Sequence, residues 1–239
     1  MMRVEARSAL AQALNAALPI WVGYAAVGVP FGVLAAKQGL TPLMIALMSA
    51  IVFAGSSQFI AVSMFGAGAG VVSIIITTFF VNLRHVLMSS ALALHLKGRS
   101  KWLLSLYAYG VTDESFAVNL TRFNQGDWDI RRALFVNHSA NLVWFISTVA
   151  GGYLGEVIPE GALGIDYALT AMFLALLMLQ VTSWLMAAVA LLAGVLAVFL
   201  SRLSPGNWHV IIATVIAATA GVVIQERFPS RRRHGERPS

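Results

Sequence analysis

The chain contains no cysteine. This excludes disulfides, thiolate metal sites and cysteine nucleophiles, and leaves the compartment open. Charge is scarce too: 11% of the 239 residues are Asp, Glu, Lys or Arg, against about 25% in soluble domains. With 59% hydrophobic residues, a chain this long has more apolar surface than a soluble fold can hide. The common enzyme signatures are missing: His-Glu-x-x-His, Gly-x-Ser-x-Gly, a Walker loop, and Gly-x-Gly-x-x-Gly ahead of a helix. Gly55-Ser56-Ser57 with a membrane histidine is a weak basis for an intramembrane serine hydrolase. No enzyme activity, catalytic residue, metal or cofactor is expected.

The uncharged stretches are long. Lys37 and Arg84 bracket 46 residues without a charge, enough for two spans of about 20 residues, with a turn at Gly66-Ala67-Gly68-Ala69-Gly70. Residues 167–201 are also uncharged and are expected to form two spans bending near Gln180–Ser183. The expected fold is all-α: a polytopic membrane protein of seven or eight helices, some kinked. Spans are expected at 17–36, 42–65, 70–96, 101–121, 132–156, 166–182, 184–201 and 207–226, after an amphipathic interfacial segment over 5–16. The organisation is then an N-terminal cytoplasmic or interfacial segment (1–16), a transporter domain (17–226) and a basic tail (227–239) expected to be disordered. No cleavable signal peptide is expected, because the apolar run after Arg7 continues past Trp21 to Ala36 without a clear cleavage site.

The net charge of +6 is not a nucleic-acid signal. The basic residues sit at span ends and in the tail Arg231-Arg232-Arg233, which fits contact with anionic lipid and the bias of Lys and Arg toward the cytoplasm. Loop 122–132 sets Arg122, Arg131 and Arg132 against Asp127 and Asp129. Loop 156–166 is acidic, with Glu156, Glu160 and Asp166. The bias puts loop 122–132 and the tail in the cytoplasm, and loop 156–166 outside. Loop 97–101, with Lys97, Arg99 and Lys101, also belongs inside. That cannot hold if 101–121 crosses fully, so this segment is short or re-entrant, or the loop breaks the rule.

Polar residues inside spans are costly and are candidates for function. In the third span, Thr78, Asn82, His85 and Ser89 share one helix face, and Ser73, Thr77 and Arg84 an adjacent one. In the fourth, Thr112-Asp113-Glu114-Ser115 lies mid-segment between Gly110 and Asn119. Two buried carboxylates need partners, and Arg84 and His85 are the candidates. One acid pairs with Arg84 while the other titrates, or the pair only fixes helix register. In the second span, Gly55, Ser56, Ser57 and Gln58 suggest local unwinding, which is tolerated in a bilayer only against a cavity or protein. In the fifth, Asn137, Asn141, Trp144 and Thr148 form a polar face for the cavity or a partner subunit, with His138 read as structural. Gly28-Val29-Pro30-Phe31-Gly32 should bend the first span. Its resemblance to Gly151-Gly152-Tyr153-Leu154-Gly155, with Gln58 and Gln180 following at similar distances, hints at an internal repeat of the kind secondary transporters carry. Close packing is the plainer explanation of such glycine pairs.

Three elements together, Phe53-Ala54-Gly55-Ser56-Ser57-Gln58-Phe59, Thr77-Thr78-Phe79-Phe80-Val81-Asn82-Leu83-Arg84-His85 and Thr112-Asp113-Glu114, resemble the AzlC family of bacterial branched-chain amino acid permeases, over roughly Pro19 to Gln225. The resemblance implies an inner-membrane exporter of branched-chain amino acids, completed by a small AzlD-like membrane subunit. With no nucleotide-binding domain, export is expected to draw on the proton gradient. Gly55, Ser56, Ser57, Gln58, Asn82 and Arg84 are the candidate substrate-binding residues. His85, Asp113 and Glu114 are the candidate proton-coupling groups. Thr78, Thr112, Asn119, Asn137 and Asn141 are expected to line the cavity or meet the partner. The alternatives are a passive channel or exchanger for small solutes, and a non-transporting subunit that stabilises a partner.

Overall fold

The computed structural model describes residues 2–126, 128–159, 174, 177, 178, 181, 183–202 and 208–227, with 2–8 and 208–211 as backbone only. Asp127, Glu160, Asp166, Gln180, the span expected at 166–182 and the tail 228–239 with Arg231, Arg232 and Arg233 lie outside the described residues, apart from four residues within 166–182. The described residues are helical, with no strand among them. The chain divides into two compact units, 1–172 and 173–239.

The first unit is framed by α1 (Met2–Lys37) and α7 (Ile130–Val157). They run parallel, because their contacts climb both sequences together. Trp21 Nε1 donates to Ser139 Oγ at 3.0 Å. Gly28 packs on Ser147, and Gly32 on the Thr148–Gly152 backbone. Gly155 meets Val33 and Ala36, and Lys37 Nζ donates to the Ile158 carbonyl. A Cβ on Gly32 would stand 2.6 Å from Gly152 N, so only glycine lets the backbones approach this closely. The two glycine clusters are the two sides of one helix crossing, and Gln180, the other mark of the expected repeat, lies outside the described residues.

α1 passes without a break through Pro19, Pro30 and the expected boundary at residue 16. The segment expected to lie at the interface is instead part of this helix. Ala13, Ala16, Ala17 and Ile20 follow the i, i+3, i+4, i+7 spacing of a buried stripe and share a core with Leu92, Leu96, Tyr107, Trp128 and Ala133.

The segments expected to cross at 42–65 and 101–121 do not. Each is two short helices joined by a turn, the second returning toward the end from which the first entered. α2 (Pro42–Ile51) begins against Gly152 and reaches Thr148 through Ser49. The chain turns at Val52–Ala54, and α3 (Gly55–Gly66) starts beside Trp144 and ends against Gln38. Both ends of this hairpin therefore lie at the Lys37 end of the frame. α4 (Val71–Ala93) then runs the other way, and its Leu92 joins Leu96 in the core with Trp128 and Ile130. α5 (Lys101–Tyr109) and α6 (Asp113–Gln125) form the second hairpin. Tyr107 and Asn119, twelve residues apart, both bond Asn137. His95, just past α4, stacks on Phe123 at 5.3 Å and reaches Asn124 Oδ1 at 3.2 Å. Both ends of this hairpin lie at the Arg132 end.

The layout thus occurs twice with opposite sense: a long helix, then a hairpin entering from its far end. Ser100 follows Thr41 by 59 residues, and each side chain caps its helix on the third amide. Thr112 follows Ala54 by 58, and each is the N-cap of the returning helix. The fold-back also removes the charge conflict. Loop 97–101 and the basic residues Arg122, Arg131 and Arg132 all lie at one end.

In the second unit, α8 (Trp184–Ser201) starts at Ser183, whose Oγ accepts from Met186 N at 3.2 Å. It packs on α9 (Trp208–Arg227), where Gly221 sits against Val189. Four described helices are long and apolar enough to cross a membrane: Ala9–Lys37, Val71–Ala93, Ile130–Val157 and Trp184–Ser201. This is fewer than the seven or eight expected, in part because the two hairpins turn back.

Single cysteines in this cysteine-free chain should label accordingly. Lys101→Cys and Gln125→Cys should react with an impermeant thiol reagent from one face of sealed vesicles, and Ala67→Cys from the other. Labelling of 101 and 125 from opposite faces would refute the hairpin. Gly32→Val should cost about 2 kcal/mol or more by overpacking the frame, read as a lower midpoint of thermal unfolding in detergent. Gly23→Ala, where a Cβ meets nothing within 4 Å, should leave the midpoint nearly unchanged.

Candidate functional site

The hairpin tips meet beside α7 at the level of Asn137–Trp144, near the middle of that helix. At the first tip, Phe53 adopts φ +35°, rare for a bulky residue. Such a conformation costs on the order of 1–3 kcal/mol and persists only where packing imposes it. Phe53 is buried, with Tyr24 and Tyr109 rings at 6.3 and 6.2 Å. At the second tip, Gly110 lies so close to Asn137 that a Cβ would stand 2.7 Å from the Asn137 Cβ.

The two returning helices start differently. α6 starts in a capping box: Thr112 Oγ1 accepts from Ser115 N at 3.3 Å, and Ser115 Oγ accepts from Thr112 N at 2.9 Å. α3 has no side-chain cap at Ala54. Its ladder begins with Gln58 N donating to the Ala54 carbonyl, so the Gly55, Ser56 and Ser57 amides have no acceptor within the helix.

Arg84, about 20 Å along α4 at 1.5 Å per residue, stands between these starts. Nη1 is 2.8 Å from Asp113 Oδ2, and Nη2 donates to Ser56 Oγ. Nε is buried without a partner. The guanidinium adds positive charge beside the positive end of the α3 dipole, and Asp113 offsets it. The Asp113 side chain is 48% exposed, so the pair is open to competition from another carboxylate. Glu114 is held apart from Arg84: the Tyr24 hydroxyl lies 2.7 Å from both its Oε2 and Thr112 Oγ1.

A cavity of about 220 Å³ lies alongside, lined by Val52, Phe53, Ala54, Asn82, His85, Ala108, Tyr109 and Val111. Asn82 Oδ1 is buried without a partner. His85 Nδ1 lies 3.3 Å from the Asn82 carbonyl. The opposite side of α4, with Phe79, Leu83, Val86 and Leu87, is exposed and apolar.

Of the residues singled out from sequence, Ser56, Asn82, Arg84, His85 and Asp113 come together here. Gln58 and Ser57 do not line the cavity. Gln58 is fully buried, accepting from Trp144 Nε1 at 2.9 Å and donating to Ser49 Oγ at 3.2 Å, while Ser49 bonds Thr148 at 2.8 Å. Ser57 Oγ donates to the Ala54 carbonyl. Gly55 makes room for the Trp144 indole, 3.3 Å from an ideal Cβ. The residues expected to line the cavity or meet the partner are absent from the cavity lining and bond within the chain. Thr78 bonds the Ile74 carbonyl of its own helix. Thr112 caps α6. Asn119 joins Trp128 Nε1 to Asn137, and Asn137 donates to the Tyr107 carbonyl. Asn141 donates to the Tyr109 hydroxyl. Sequence reasoning missed Tyr24, Phe53 and Tyr109. The pattern Thr112-x-x-Ser115 after Gly110 marks a helix start in mid-segment and was the available signal for the second tip.

Arg84 with Asp113 and Ser56 stands at the starts of α6 and α3, and Asn82, His85 and an apolar wall line the cavity next to them. That set complements a zwitterion with a short apolar side chain.

A family model described as AzlC protein matches residues 19–158, a stretch containing both hairpins, α4 and all of α7. Inner membrane protein YgaZ of Escherichia coli is 32% identical over 164 residues, covering 67% of each chain. The branched-chain amino acid transport protein AzlC of Bacillus subtilis is 27% identical over 183 residues, 74% of this chain and 70% of that protein. An uncharacterized membrane protein of Helicobacter pylori is 28% identical over 223 residues, 88% of this chain and 92% of its own. No solved structure matches the chain.

Gln58→Ala should cost about 1–3 kcal/mol, because it leaves the Trp144 N–H and Ser49 hydroxyl short of a buried partner. Ser56→Ala should cost less than 1 kcal/mol, about the worth of a single hydrogen bond near solvent. Chemical unfolding in detergent compares the two.

Proposed function

The chain belongs to the AzlC family, and we propose that it exports branched-chain or similar small neutral amino acids across the inner membrane, driven by the proton gradient. The observation that carries this is Arg84, bonded at once to the first turns of α3 and α6, where the two hairpins meet. The substrate carboxylate takes Arg84 and the free amides of Gly55 and Ser56, in competition with Asp113. Half-helix N-termini in broken membrane helices suit such carboxylates. The ammonium goes to Asn82 Oδ1 and to Asp113 once it is released from Arg84. The side chain packs on Val52, Ala54, Ala108 and Val111. At about 220 Å³, the cavity falls below the roughly 300–1,000 Å³ of drug-sized pockets, which fits a small solute. The printed name of the Bacillus subtilis relative supports the substrate class.

Proton coupling is assigned to Asp113, Glu114 and His85. Substrate entry separates Asp113 from Arg84, which ties the partner of this acid to the presence of substrate, with Glu114 next to it in the chain and His85 next to Arg84. The concentration of Lys97, Arg99, Lys101, Arg122, Arg131 and Arg132 at one end puts that end in the cytoplasm. A small AzlD-like membrane subunit completes the transporter in this reading, with the exposed apolar side of α4 in lipid or against that subunit.

The test is efflux of labelled leucine from preloaded cells lacking their own exporters, with and without the small partner and an uncoupler. Arg84→Ala and Arg84→Lys should each lower uncoupler-sensitive efflux by at least about tenfold, the scale of one charged hydrogen bond; lysine keeps the charge but cannot span Asp113 and Ser56 as a fork. Normal export by Arg84→Ala would overturn the site. Asp113→Asn should abolish the pH dependence of efflux. Unchanged dependence would move the coupling role to Glu114 or His85.

A further inference from the structure

We infer that Tyr109 is a latch between the two hairpins, and that solute passes when its hydroxyl leaves the Ala50 carbonyl. The inference deepens the transport reading and rests on it for what passes, not for the latch. α2 ends at Ile51 and the backbone turns away at Phe53, which strips carbonyls of the last turn of their helical partners. The Ala50 carbonyl takes its proton from the Tyr109 hydroxyl. Tyr109 is the last residue of α5, so this bond joins one tip directly to the other.

The ring is set for the task. It stands between Phe53, at 6.2 Å, and the His138 imidazole, stacked at 6.2 Å and 23°. Asn141 Nδ2 donates to the hydroxyl at 3.1 Å, which turns its proton toward Ala50. Tyr109 also lines the cavity, together with Phe53 and Ala54. The hairpins enter from opposite ends, so separating their tips opens the cavity between them. Arg84 bridges the same two hairpins from α4, but its bonds are those a substrate carboxylate displaces. The Tyr109 bond is neutral and remains to be broken after substrate has bound.

The absence of cysteine makes the latch measurable without transport. Ala54→Cys places one thiol in the cavity wall at a position 4% exposed. Its labelling by a membrane-impermeant maleimide is followed in sealed vesicles. Tyr109→Phe keeps the ring and removes the hydroxyl. It should speed labelling about two- to tenfold, the population shift expected from losing one neutral hydrogen bond. Asn141→Ala, which removes the donor to that hydroxyl, should act in the same direction by a smaller factor and serves if Tyr109→Phe does not fold. Unchanged labelling in a folded Tyr109→Phe, or in Asn141→Ala where that protein is missing, overturns the latch. Faster labelling in a protein that moves no leucine supports the latch and removes leucine as the solute.

Discussion

Every interruption of a helix at membrane depth frees backbone groups that lipid cannot satisfy, and the middle of this molecule is arranged around that constraint. Two interruptions face each other. Side chains bond carbonyls beside them: Tyr109 on Ala50, Asn137 on Tyr107 and, within the second hairpin, Ser115 on Gly110. At α6 the capping box of Thr112 and Ser115 closes two of the amides. At α3 no side chain caps the start, and Arg84 stands beside it on Ser56.

The glycine crossing of α1 and α7 makes this possible. Helix backbones in near contact form a stiff frame, and the hairpins lean on it through Ser49–Thr148, Gln58–Trp144 and Asn119–Asn137. Much of the buried polar inventory of the first unit goes into docking the hairpins to α7. What is left near the cavity (Arg84, Asp113, Asn82 and His85) belongs to α4 and the start of α6.

Much of this was legible in the sequence because charge is so rare there. With a single cation inside the third apolar segment and adjacent acids inside the fourth, burial cost points to their pairing, and Arg84 does meet Asp113. The hairpins were harder to read. α2 and α3 together have the length and hydropathy of one crossing, and α5 and α6 together have the length, and neither property records direction. The basic loop 97–101 carried the clue, since its charge conflicts with a full crossing. A lone polar residue in an apolar run, such as Gln58, Asn119 or Asn137, looks the same whether it faces a solute, a partner or a buried network. The difference lies in partners such as Trp144 and Trp128, which only the folded chain brings near. The short N-terminal stripe of alanines, taken for a surface helix, has its matching face more than seventy residues away.

The parallel pairing of α1 with α7 also bears on how the protein is made. The glycine face of α1 is synthesised early, yet Gly151, Gly152 and Gly155 follow more than a hundred residues later. Until they emerge, Gly28 and Gly32 have no partner, and the Ala50 carbonyl waits for Tyr109. The first hairpin therefore cannot settle when it is translated. A ribosome at residue 100 has produced a long helix, a loose re-entrant segment and a cation without its acid. The partners arrive in order, Tyr109 first, then Asp113, and the glycines of α7 last.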